Sequence, residues 1–370
     1  MLSNLDRAFL DAALALAERG RFSTTPNPRV GALIVKDGRV VGRGFHLRAG
    51  EPHAEAHALA EAGARARGAT CYVSLEPCAH HGRTPPCADA LIAEGIAQVV
   101  GAHRDPNPLV AGQGYERLRT AGVAVTAEDL AAAREINVGF FSRLERGRPW
   151  VRLKVATSLD GRTAMATGES RWITGEAARD DVQYWRATSC AILTGVGTVL
   201  ADDPALTVRA DRFAVAGVLR QPLRVIVDSQ LRTPPDAKVL SMHGALVATT
   251  PRGDDEWIAR RRALESAGIE ILSLSEDAAG PRVPLAPLLA ALGQRGINEL
   301  LVEAGPTLVG ALLELDLWDE LVVYVAPKLL GSRARPFAEL PLAHLADARA
   351  GRLVEQTRIG DDLRIRIVRA

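Results

Sequence analysis

The chain has 370 residues, of which 47% are apolar and 24% charged, and its 45 basic side chains almost balance its 44 acidic ones. This composition is typical of a globular protein of about two domains, and it excludes the strong overall field that attracts nucleic acid or a membrane surface. Charges are spaced through the first 20 residues, and no apolar run reaches about 18 residues, so we expect neither a secretory leader nor a membrane span. The expected location is the cytoplasm, where cysteines serve as ligands or core residues more often than as disulfides.

The first part of the chain alternates helical patterns with short apolar strands. After an amphipathic helix that ends near residue 20, "VGALIVKDGRVVGRG" predicts a hairpin that turns at Asp37 and Gly38. Further helices are predicted from Pro52, at 87–94 and at 114–121, and further strands at "ATCYVSL", "AQVVGA" and "VAVT". This alternation predicts an α/β sheet with helices on its faces.

A second α/β series begins after the charged stretch "RLERGRPW". Its predicted strands are "WVRLKVA", "CAILT", "LRVIVD", "GALVATT", "GIEILSL" and "ELLVEAG", and the last 18 residues predict an antiparallel pair. Residues 209–222 are expected to form a surface excursion. We therefore expect two α/β domains, at 1–145 and 149–370.

Four residues of the first domain have the spacing of a catalytic metal site. Cys78 and Cys87 flank a polar loop, and His53 and Glu55 lie near the start of the preceding predicted helix. One imidazole and two thiolates leave the fourth position of a tetrahedral zinc open to water, which is typical of catalysis. Glu55 is then placed to transfer the proton of that water to a leaving amine.

Other interpretations of this cluster exist. His57 shares a helix face with His53, but the metalloprotease pattern needs Glu directly after the first His, and this chain has Ala54 there. His81 has close ligand spacing to Cys78 and would complete a zinc site without chemistry. In a third interpretation the cysteines are partly buried thiols, which the order H-x-E, P-C and Cys makes less favourable. The two other cysteines fall within or at the start of predicted strands and are expected in the core: Cys71 and Cys190.

These motifs resemble a known family. "HAE" followed by "PC" and a later Cys is the signature of zinc deaminases acting on nucleobases, although the common form has C-x-x-C and this chain has eight residues between its cysteines. With "TPNPRVGALIVKDGRVVGRGFH" and "GEPHAE", the first domain closely resembles the deaminase half of the bifunctional pyrimidine deaminase/reductases of riboflavin biosynthesis. The second domain resembles that family's reductase through "KVATSLDGRTA", "GESRWIT", "LTGVGTVLADDPALTVR", "VIVDSQ", "VEAGPTLVGALL" and "VAPKLLG", in the same order.

The resemblance covers nearly the whole chain and implies both fold and chemistry. It implies a cytidine-deaminase-like α/β/α domain followed by a dihydrofolate-reductase-like α/β domain, with Zn²⁺ and NADPH as cofactors. The implied first reaction is zinc-hydroxide hydrolysis of 2,5-diamino-6-(5-phosphoribosylamino)pyrimidin-4(3H)-one to 5-amino-6-(5-phosphoribosylamino)uracil, with release of ammonia. The second is NADPH-dependent reduction of the ribosyl group to ribityl. A homodimer formed through the second domain is a further expectation from the family.

The resemblance also implies roles for single residues. His53, Cys78 and Cys87 match the zinc ligands, and Glu55 matches the proton shuttle. Positions that line the family's deaminase pocket match Asn27, His46, His80 and Arg83. Positions that contact the cofactor match Ala156, Trp172, Thr198, Asp202, Ser229 and Gly305. Positions that contact the substrate match Ser170, Arg186, Leu206, Arg209 and Glu303.

The residues of the second domain support part of this assignment independently. "GVGTVL" lacks the third glycine and the later acidic residue of a Rossmann fingerprint, so a Rossmann fold is not expected. In "LLVEAGPTLVGALL" a strand ends at Glu303, Gly305 permits a tight turn, and Pro306 starts a helix whose free amides can hold a phosphate. An ordinary strand-to-helix turn is the alternative, and the family resemblance favours a cofactor diphosphate contact.

Three side chains of the second domain have physical arguments of their own. The guanidinium forks of Arg186 and Arg209 suit a phosphate dianion. Alternatively, Arg186 belongs to a solvated helix face and Trp172 to the core. Lys154 is expected to face a polar cleft and to orient or polarise the open-chain ribose nitrogen or oxygen during hydride transfer.

Two other classes of function remain open from the sequence. A tRNA-type nucleic-acid base deaminase with an accessory domain would carry a basic stripe with interleaved aromatics, whereas this chain has 4% aromatic residues and a net charge of +1. A zinc-stabilised binding module without chemistry would need a fourth protein ligand, for which His81 is the candidate.

Overall fold

The structure is a computed structural model, and it describes residues 2–79, 86–108, 110–275 and 282–370. The chain divides into two compact units, at residues 1–147 and 148–370. The division falls directly after a helix that ends at Arg146, at the glycine that terminates it. Each unit has its own sheet and its own core.

The first unit is a five-stranded sheet with helices on both faces. Its elements are α1 (Asn4–Ala17), β1 (Gly31–Lys36), β2 (Arg39–Phe45), α2 (Ala54–Ala62), β3 (Thr70–Val73), α3 (Cys87–Ala93), β4 (Gln98–Gly101), α4 (Gln113–Thr120), β5 (Ala124–Ala127), α5 (Ala131–Ile136) and α6 (Val138–Arg146). The strand order is β2-β1-β3-β4-β5. β1 is antiparallel to β2 and β3, whereas β3, β4 and β5 are parallel.

The hairpin β1–β2 brings α2 close to the sheet. Asp37 and Gly38 both have positive φ, 50° and 72°, as the tightest hairpin turns require. On β2, an added Cβ would lie 2.1 Å from the Ala58 carbonyl oxygen at Gly42, and 2.0 Å from the Ala54 carbonyl oxygen at Gly44. Only glycine permits this approach, so the two alternate glycines fix the distance between β2 and α2.

Strand alternation gives the first sheet a core on each face. Ile34 and Cys71 pack in one cluster beneath α2, α3 and α4, whereas Leu33 and Tyr72 pack in another with α1. All four side chains are buried. Because successive side chains of a strand point to opposite faces, the same short strands supply both cores.

The second unit contains a nine-stranded sheet. Its elements are β6 (Trp150–Ser158), β7 (Arg162–Ala164), α7 (Glu176–Thr188), β8 (Ala191–Gly195), α8 (Val196–Asp202), β9 (Leu223–Val227), β10 (Ala245–Thr249), α9 (Asp255–Ser266), β11 (Glu270–Ser273), α10 (Leu285–Gln294), β12 (Glu299–Val302), α11 (Pro306–Glu314), β13 (Glu320–Ala326), β14 (Arg335–Pro336), β15 (Gly351–Ile359) and β16 (Asp362–Arg369). The strand order is β11-β10-β9-β8-β12-β6-β13-β16-β15, and β7 pairs separately with β14.

The larger sheet is parallel from β11 to β13 and becomes antiparallel at β16 and β15. Its central strands are buried on both faces, as for β12, where all four residues are buried. The carboxyl ends of the parallel strands therefore meet at one edge, where loops from different parts of the chain converge. This edge is the general position of ligand sites in open α/β sheets.

The predicted α/β elements of both units are confirmed, including the hairpin turn and the terminal antiparallel pair. The structure adds α5, α6, β7, β13 and β14, which the sequence patterns did not separate from the loops. The helix expected from Pro52 begins two residues later, at Ala54, because His53 has an extended conformation and forms the N-cap. Among the described residues, no helix has the length and apolarity to cross a membrane.

Candidate active sites

Three elements of the first unit bring a histidine and two cysteines together. His53 is the N-cap of α2, Cys78 follows β3 by a short loop, and Cys87 is the first residue of α3. His53 Nδ1 lies 3.2 Å from Cys87 Sγ and 3.6 Å from Cys78 Sγ, and the Cys87 N–H donates to Cys78 Sγ at 3.3 Å. The imidazole makes no capping hydrogen bond to its helix. It faces the two sulfurs instead.

The chemistry of this donor set fits zinc. The potential ligand atoms of His53, Cys78 and Cys87 all lie within 4.8 Å of one another. The hydrogen bonds from Cys87 lower the pKa of the Cys78 thiol, so one thiolate is already favoured by the protein alone. Two thiolates and an imidazole are ligands that zinc prefers, and a cation among them would remove their mutual crowding of negative charge.

Glu55 lies beside the cluster in the first turn of α2. Its side chain is buried, and burial raises the pKa of its carboxyl to about 7. Such a pKa suits a group that must both accept and return a proton near neutral pH. The structure therefore brings together the predicted metal ligands and the predicted proton shuttle.

Two of the predicted pocket residues contact each other next to the cluster. Asn27 Nδ2 lies 3.0 Å from His46 Nε2, and His46 Nδ1 lies 3.2 Å from the Pro52 carbonyl oxygen. Because the carbonyl can only accept, Nδ1 carries the proton and Nε2 accepts from Asn27. Burial also lowers the pKa of His46, which favours the neutral ring. The ring meets that of His53 edge-on, with centroids 5.1 Å apart.

Three histidine and arginine positions considered from the sequence lie outside the described residues: His80, His81 and Arg83.

Glu76 was not singled out from the sequence, yet it anchors the segment that carries Cys78. Its buried carboxylate accepts backbone N–H groups from four residues of a distant loop and helix start, at 2.9 to 3.3 Å: Asp105, Gly112, Gly114 and Tyr115. An added Cβ at Gly114 would lie 1.9 Å from the Pro77 carbonyl oxygen. In the sequence, the only indication of this role is a Glu directly before the "PC" motif, and that position does not predict which backbone groups the carboxylate binds.

In the second unit, three charged residues meet at the carboxyl edge of the sheet. β12 pairs with β6 so that Val302 lies opposite Leu153, which places Glu303 beside Lys154. Lys154 Nζ lies 4.0 Å from Glu303 Oε2. Arg186, from α7, donates to both carboxylate oxygens of Glu303, at 2.6 and 3.0 Å.

The opposite charges of this trio shift one another's pKa values. Burial alone would raise the pKa of Glu303, but the charges of Arg186 and Lys154 outweigh it and hold the pKa below its usual value. Burial lowers the pKa of Lys154, and Glu303 opposes that shift. The lowered pKa of Glu303 favours its carboxylate form, and the lowered pKa of Lys154 means that its ammonium gives up a proton more easily than in water.

Some of the predicted cofactor positions also come together. Gly305 is the N-cap of α11, with Pro306 at its first position, as the sequence predicted. An added Cβ at Gly305 would lie 3.9 Å from Thr198 Oγ1, so β12–α11 and α8 meet there. Arg171, next to Trp172, donates to the Asp202 carbonyl oxygen at 3.0 Å.

The structure decides two of the alternatives. Trp172 is 62% exposed, with the Arg179 guanidinium 4.4 Å above its ring, so it does not belong to the core. Arg186 is not on a solvated face, because its fork is occupied by Glu303 and by the Thr207 carbonyl oxygen at 3.1 Å. Three further predicted positions are half-buried: Ala156, Ser170 and Ser229.

The placement of Arg186 depends on residues that sequence reasoning missed. Its neighbour on α7, Trp185, donates from Nε1 to the Tyr324 hydroxyl at 2.8 Å, and that hydroxyl donates to Asp181 Oδ2 at 2.5 Å. Tyr324 is fully buried on β13. These bonds tie α7 to the sheet and so fix Arg186 over Glu303.

Comparison with known families assigns each unit to a class. Residues 3–103 match the cytidine and deoxycytidylate deaminase zinc-binding region, and residues 149–364 match the RibD C-terminal domain. The fold and the two sites thus define a bifunctional enzyme, with a cytidine-deaminase-like α/β unit followed by a dihydrofolate-reductase-like α/β unit.

Relatives match over the full length of the chain. The riboflavin biosynthesis protein RibD of Escherichia coli K12 is 50% identical over 375 residues, which cover 99% of this chain and all of the relative. A structure of Acinetobacter baumannii RibD is 44% identical with a TM-score of 0.91, and a Thermotoga maritima deaminase/reductase structure is 31% identical with a TM-score of 0.83; each covers 99% of both chains. The chain belongs to the RibD family of riboflavin biosynthesis proteins.

This membership confirms the resemblance found in the sequence. The chain is a bifunctional deaminase and reductase of riboflavin biosynthesis that uses Zn²⁺ and NADPH. The interpretation as a binding module without chemistry is therefore wrong. The comparisons do not favour a nucleic-acid base deaminase either.

Proposed function

We propose that the first unit converts 2,5-diamino-6-(5-phosphoribosylamino)pyrimidin-4(3H)-one to 5-amino-6-(5-phosphoribosylamino)uracil, and that the second reduces the ribosyl group of this product to ribityl. The observation that carries the proposal is the convergence of His53, Cys78 and Cys87 beside a buried Glu55. The Thermotoga relative is described as a deaminase and reductase of these compounds.

In the deaminase unit, His53, Cys78 and Cys87 would hold the zinc, and Glu55 would move the proton. Zinc, when bound, lowers the pKa of a water molecule so that it becomes nucleophilic at neutral pH. Glu55 takes a proton from the water that adds to the amino-bearing ring carbon. The same carboxyl gives the proton to the amine as the carbon–nitrogen bond breaks, and ammonia leaves.

The pocket residues would hold the ring. Neutral His46 presents an oriented imidazole, since the Pro52 carbonyl and Asn27 occupy its two nitrogens. Asn27 keeps its side-chain oxygen as an acceptor for an amino group of the pyrimidine. His80 and Arg83 stay predicted members of this pocket.

In the reductase unit, Lys154 and Glu303 would hold and protonate the opened ribose. NADPH, when bound, supplies the hydride to the ribose carbon attached to nitrogen. Lys154, whose pKa burial lowers, donates a proton to the ribose oxygen released when the ring opens. Glu303, held by Arg186, keeps Lys154 oriented and accepts hydrogen bonds from substrate hydroxyls.

The other reductase residues would bind the two phosphorylated ligands. Arg209 is exposed, and its charge acts on nearby Glu303, so it would bind the substrate phosphate at the same site, together with Ser170 and Leu206. The N-terminus of α11 at Gly305 suits the cofactor diphosphate. The same cofactor site would include Ala156, Trp172, Thr198, Asp202 and Ser229.

We also propose a homodimer formed through the second unit. β15 is the outer strand of the nine-stranded sheet, and Leu353 and Val354 on it are exposed, 56% and 38% respectively. An edge strand with exposed apolar side chains is a ready surface for a second copy. Light scattering after gel filtration would reveal a single-chain mass if this part of the proposal is wrong.

The enzyme would act on a small molecule in the cytoplasm, without nucleic acid or membrane. Zinc thiolates require reduced cysteines, and none of the four cysteines in the described part of the chain forms a disulfide.

The test supplies zinc-loaded protein with the diaminopyrimidinone ribose phosphate and follows ammonia and product masses with and without NADPH. We expect ammonia in both cases, and the ribityl compound only with NADPH. Zinc-loaded protein that releases no ammonia would refute the first reaction, whereas ammonia without a ribityl product would refute the second.

A further inference from the structure

We propose that Gln183 and Gln221 are positioning residues that hold the segment 206–209 in the shape needed to bind the substrate phosphate. This inference rests on the proposed function, in which Leu206 and Arg209 contact the substrate. Neither glutamine belongs to the sites described above. Both act through the backbone of the segment.

The segment has side-chain partners for its backbone instead of a neighbouring strand. The Val208 N–H donates to Gln221 Oε1 and the Val208 carbonyl accepts from Gln221 Nε2, both at 2.9 Å. The Arg209 N–H donates to Gln183 Oε1 at 2.9 Å. Arg186 donates to the Thr207 carbonyl at 3.1 Å. Four consecutive backbone groups are thus held by three side chains.

The orientation of the Gln221 amide is fixed by this pairing. A backbone N–H can only donate and a carbonyl can only accept, so Oε1 must face the Val208 N–H and Nε2 its carbonyl. Gln221 therefore imitates the edge of a β-strand. Its neighbour Arg220 donates to the Ala187 and Ser189 carbonyls, at 2.6 and 2.8 Å, which fixes the segment before β9 to the end of α7.

Gln183 links the segment to the charged trio. It lies on α7 three residues before Arg186, so both side chains project from the same part of the helix. Gln183 is buried, and a buried amide is costly unless its hydrogen bonds are made. α7 thus sets the position of Glu303 through Arg186, and the position of Arg209 through Gln183.

The backbone of the segment is strained where it enters the site. Leu206 has φ of +50° and is buried, and Asp203 before it has φ of +43°. A non-glycine residue in the left-handed region is unfavourable and persists when the surroundings hold it there. The hydrogen bonds from Gln221, Gln183 and Arg186 are such a restraint.

As a consequence, the backbone of Arg209 is held in position before the substrate binds. Its backbone N–H is fixed by Gln183 while its side chain stays exposed, and its charge contributes to lowering the pKa of Glu303. A guanidinium on a fixed backbone loses less conformational freedom when it binds a phosphate. Loss of either glutamine should therefore weaken phosphate binding more than hydride transfer.

The test compares Gln221→Leu and Gln183→Leu with the exposed control Gln294→Leu at the end of α10. The two substrates are the phosphoribosylaminouracil and the same compound without its phosphate. We expect KM for the phosphorylated substrate to rise roughly tenfold in each variant, with kcat, KM for NADPH and KM for the dephosphorylated compound changed little. Gln183→Glu keeps the acceptor for the Arg209 N–H and should retain most of the affinity.

A second measurement does not depend on the substrate. Amide hydrogen exchange at Val208 and Arg209 should be slow in the wild type and roughly tenfold faster in the matching leucine variants. Equal exchange, or a KM that rises equally for both substrates, would overturn the positioning role. If the wild type reduces neither compound, the proposed function fails, and the exchange rates still decide whether the glutamines hold the segment. If Gln221→Leu does not fold, the comparison of Gln183→Leu with Gln183→Glu tests the positioning role by itself.

Discussion

The two candidate sites differ in the side chains that surround their acidic groups. In the first unit, the thiols of Cys78 and Cys87 converge on the imidazole of His53, and the three potential ligand atoms lie within 4.8 Å of one another. In the second unit, the largely buried carboxylate of Glu303 lies between two protein cations, Lys154 and Arg186. The first set of side chains is one that zinc binds, whereas the second pairs a carboxylate with cations of the protein itself. The chemistry of the two sets therefore indicates that the first site, and not the second, depends on a metal for its structure.

The largest expected effect is that of Glu55→Gln, which keeps the size of the side chain but removes the proton acceptor. Ammonia release should fall roughly 1,000-fold, because proton transfer to the leaving amine is lost. Bound zinc and the reduction of supplied phosphoribosylaminouracil should be unchanged. Metal analysis and both assays check this, with the exposed Glu94→Gln as control. A variant that loses both activities would mean that the units are not independent.

Lys154→Met should produce the reverse pattern. Reduction should fall roughly 100-fold or more, since the methionine fills the buried space but cannot donate a proton. Ammonia release should stay normal. NADPH oxidation in the presence of substrate measures the loss, and Lys36→Met in the other unit is the control. Normal reduction by Lys154→Met would remove this residue from the mechanism.

Zinc removal should separate the stabilities of the units. All five tryptophans, at 150, 172, 185, 257 and 318, lie in the second unit, so their fluorescence reports its unfolding alone. A chelator should lower the free energy of unfolding of the first unit by about 3 kcal/mol, because the metal binds only the folded site. Far-UV circular dichroism should record this loss while the tryptophan transition stays in place. A tryptophan transition that shifts equally would contradict the contrast between the sites.

The smallest expected effect concerns an ion pair network away from either site. Burial alone would raise the pKa of Glu355, but hydrogen bonds from Arg366 and Arg364 lower it to about 2, from an ordinary value of 4.5. A lowered folded-state pKa stabilises the protein above pH 4.5, and this contribution is lost as the pH falls from 4.5 towards 2.

Glu355→Gln should therefore cost about 1–2 kcal/mol at pH 7 and progressively less below pH 4.5. Urea unfolding followed by tryptophan fluorescence measures both proteins at pH 7, 5 and 3.5. A difference that is constant over this range would show that the charge of Glu355 does not contribute.

The parts of both sites that could be predicted from the sequence are those whose residues lie close together in the chain. His53 and Glu55 are two residues apart, and Cys78 follows a proline at the end of a strand, so the zinc chemistry was readable locally. Glu303 and Gly305 likewise mark a strand end and a helix start, which the structure confirms.

The remainder depends on contacts between distant segments. Glu76 is adjacent to the motif, but its four backbone partners lie 29 to 39 residues away. Gln183 and Gln221 contact a segment whose position is set by the packing of α7 and β9. The alternate glycines of β2, such as Gly42, indicate in the sequence that another backbone approaches this strand closely. Only the fold shows that the approaching element is α2.

The most direct test of two self-contained sites mixes equal amounts of Glu55→Gln and Lys154→Met protein and supplies the diaminopyrimidinone ribose phosphate with NADPH. Each variant lacks one activity, so neither alone makes the ribityl product. We predict that the mixture makes it, because the deaminated intermediate leaves one protein and is reduced by the other. If each variant retains its own activity and the mixture still makes no ribityl product, the account of two independent sites is contradicted.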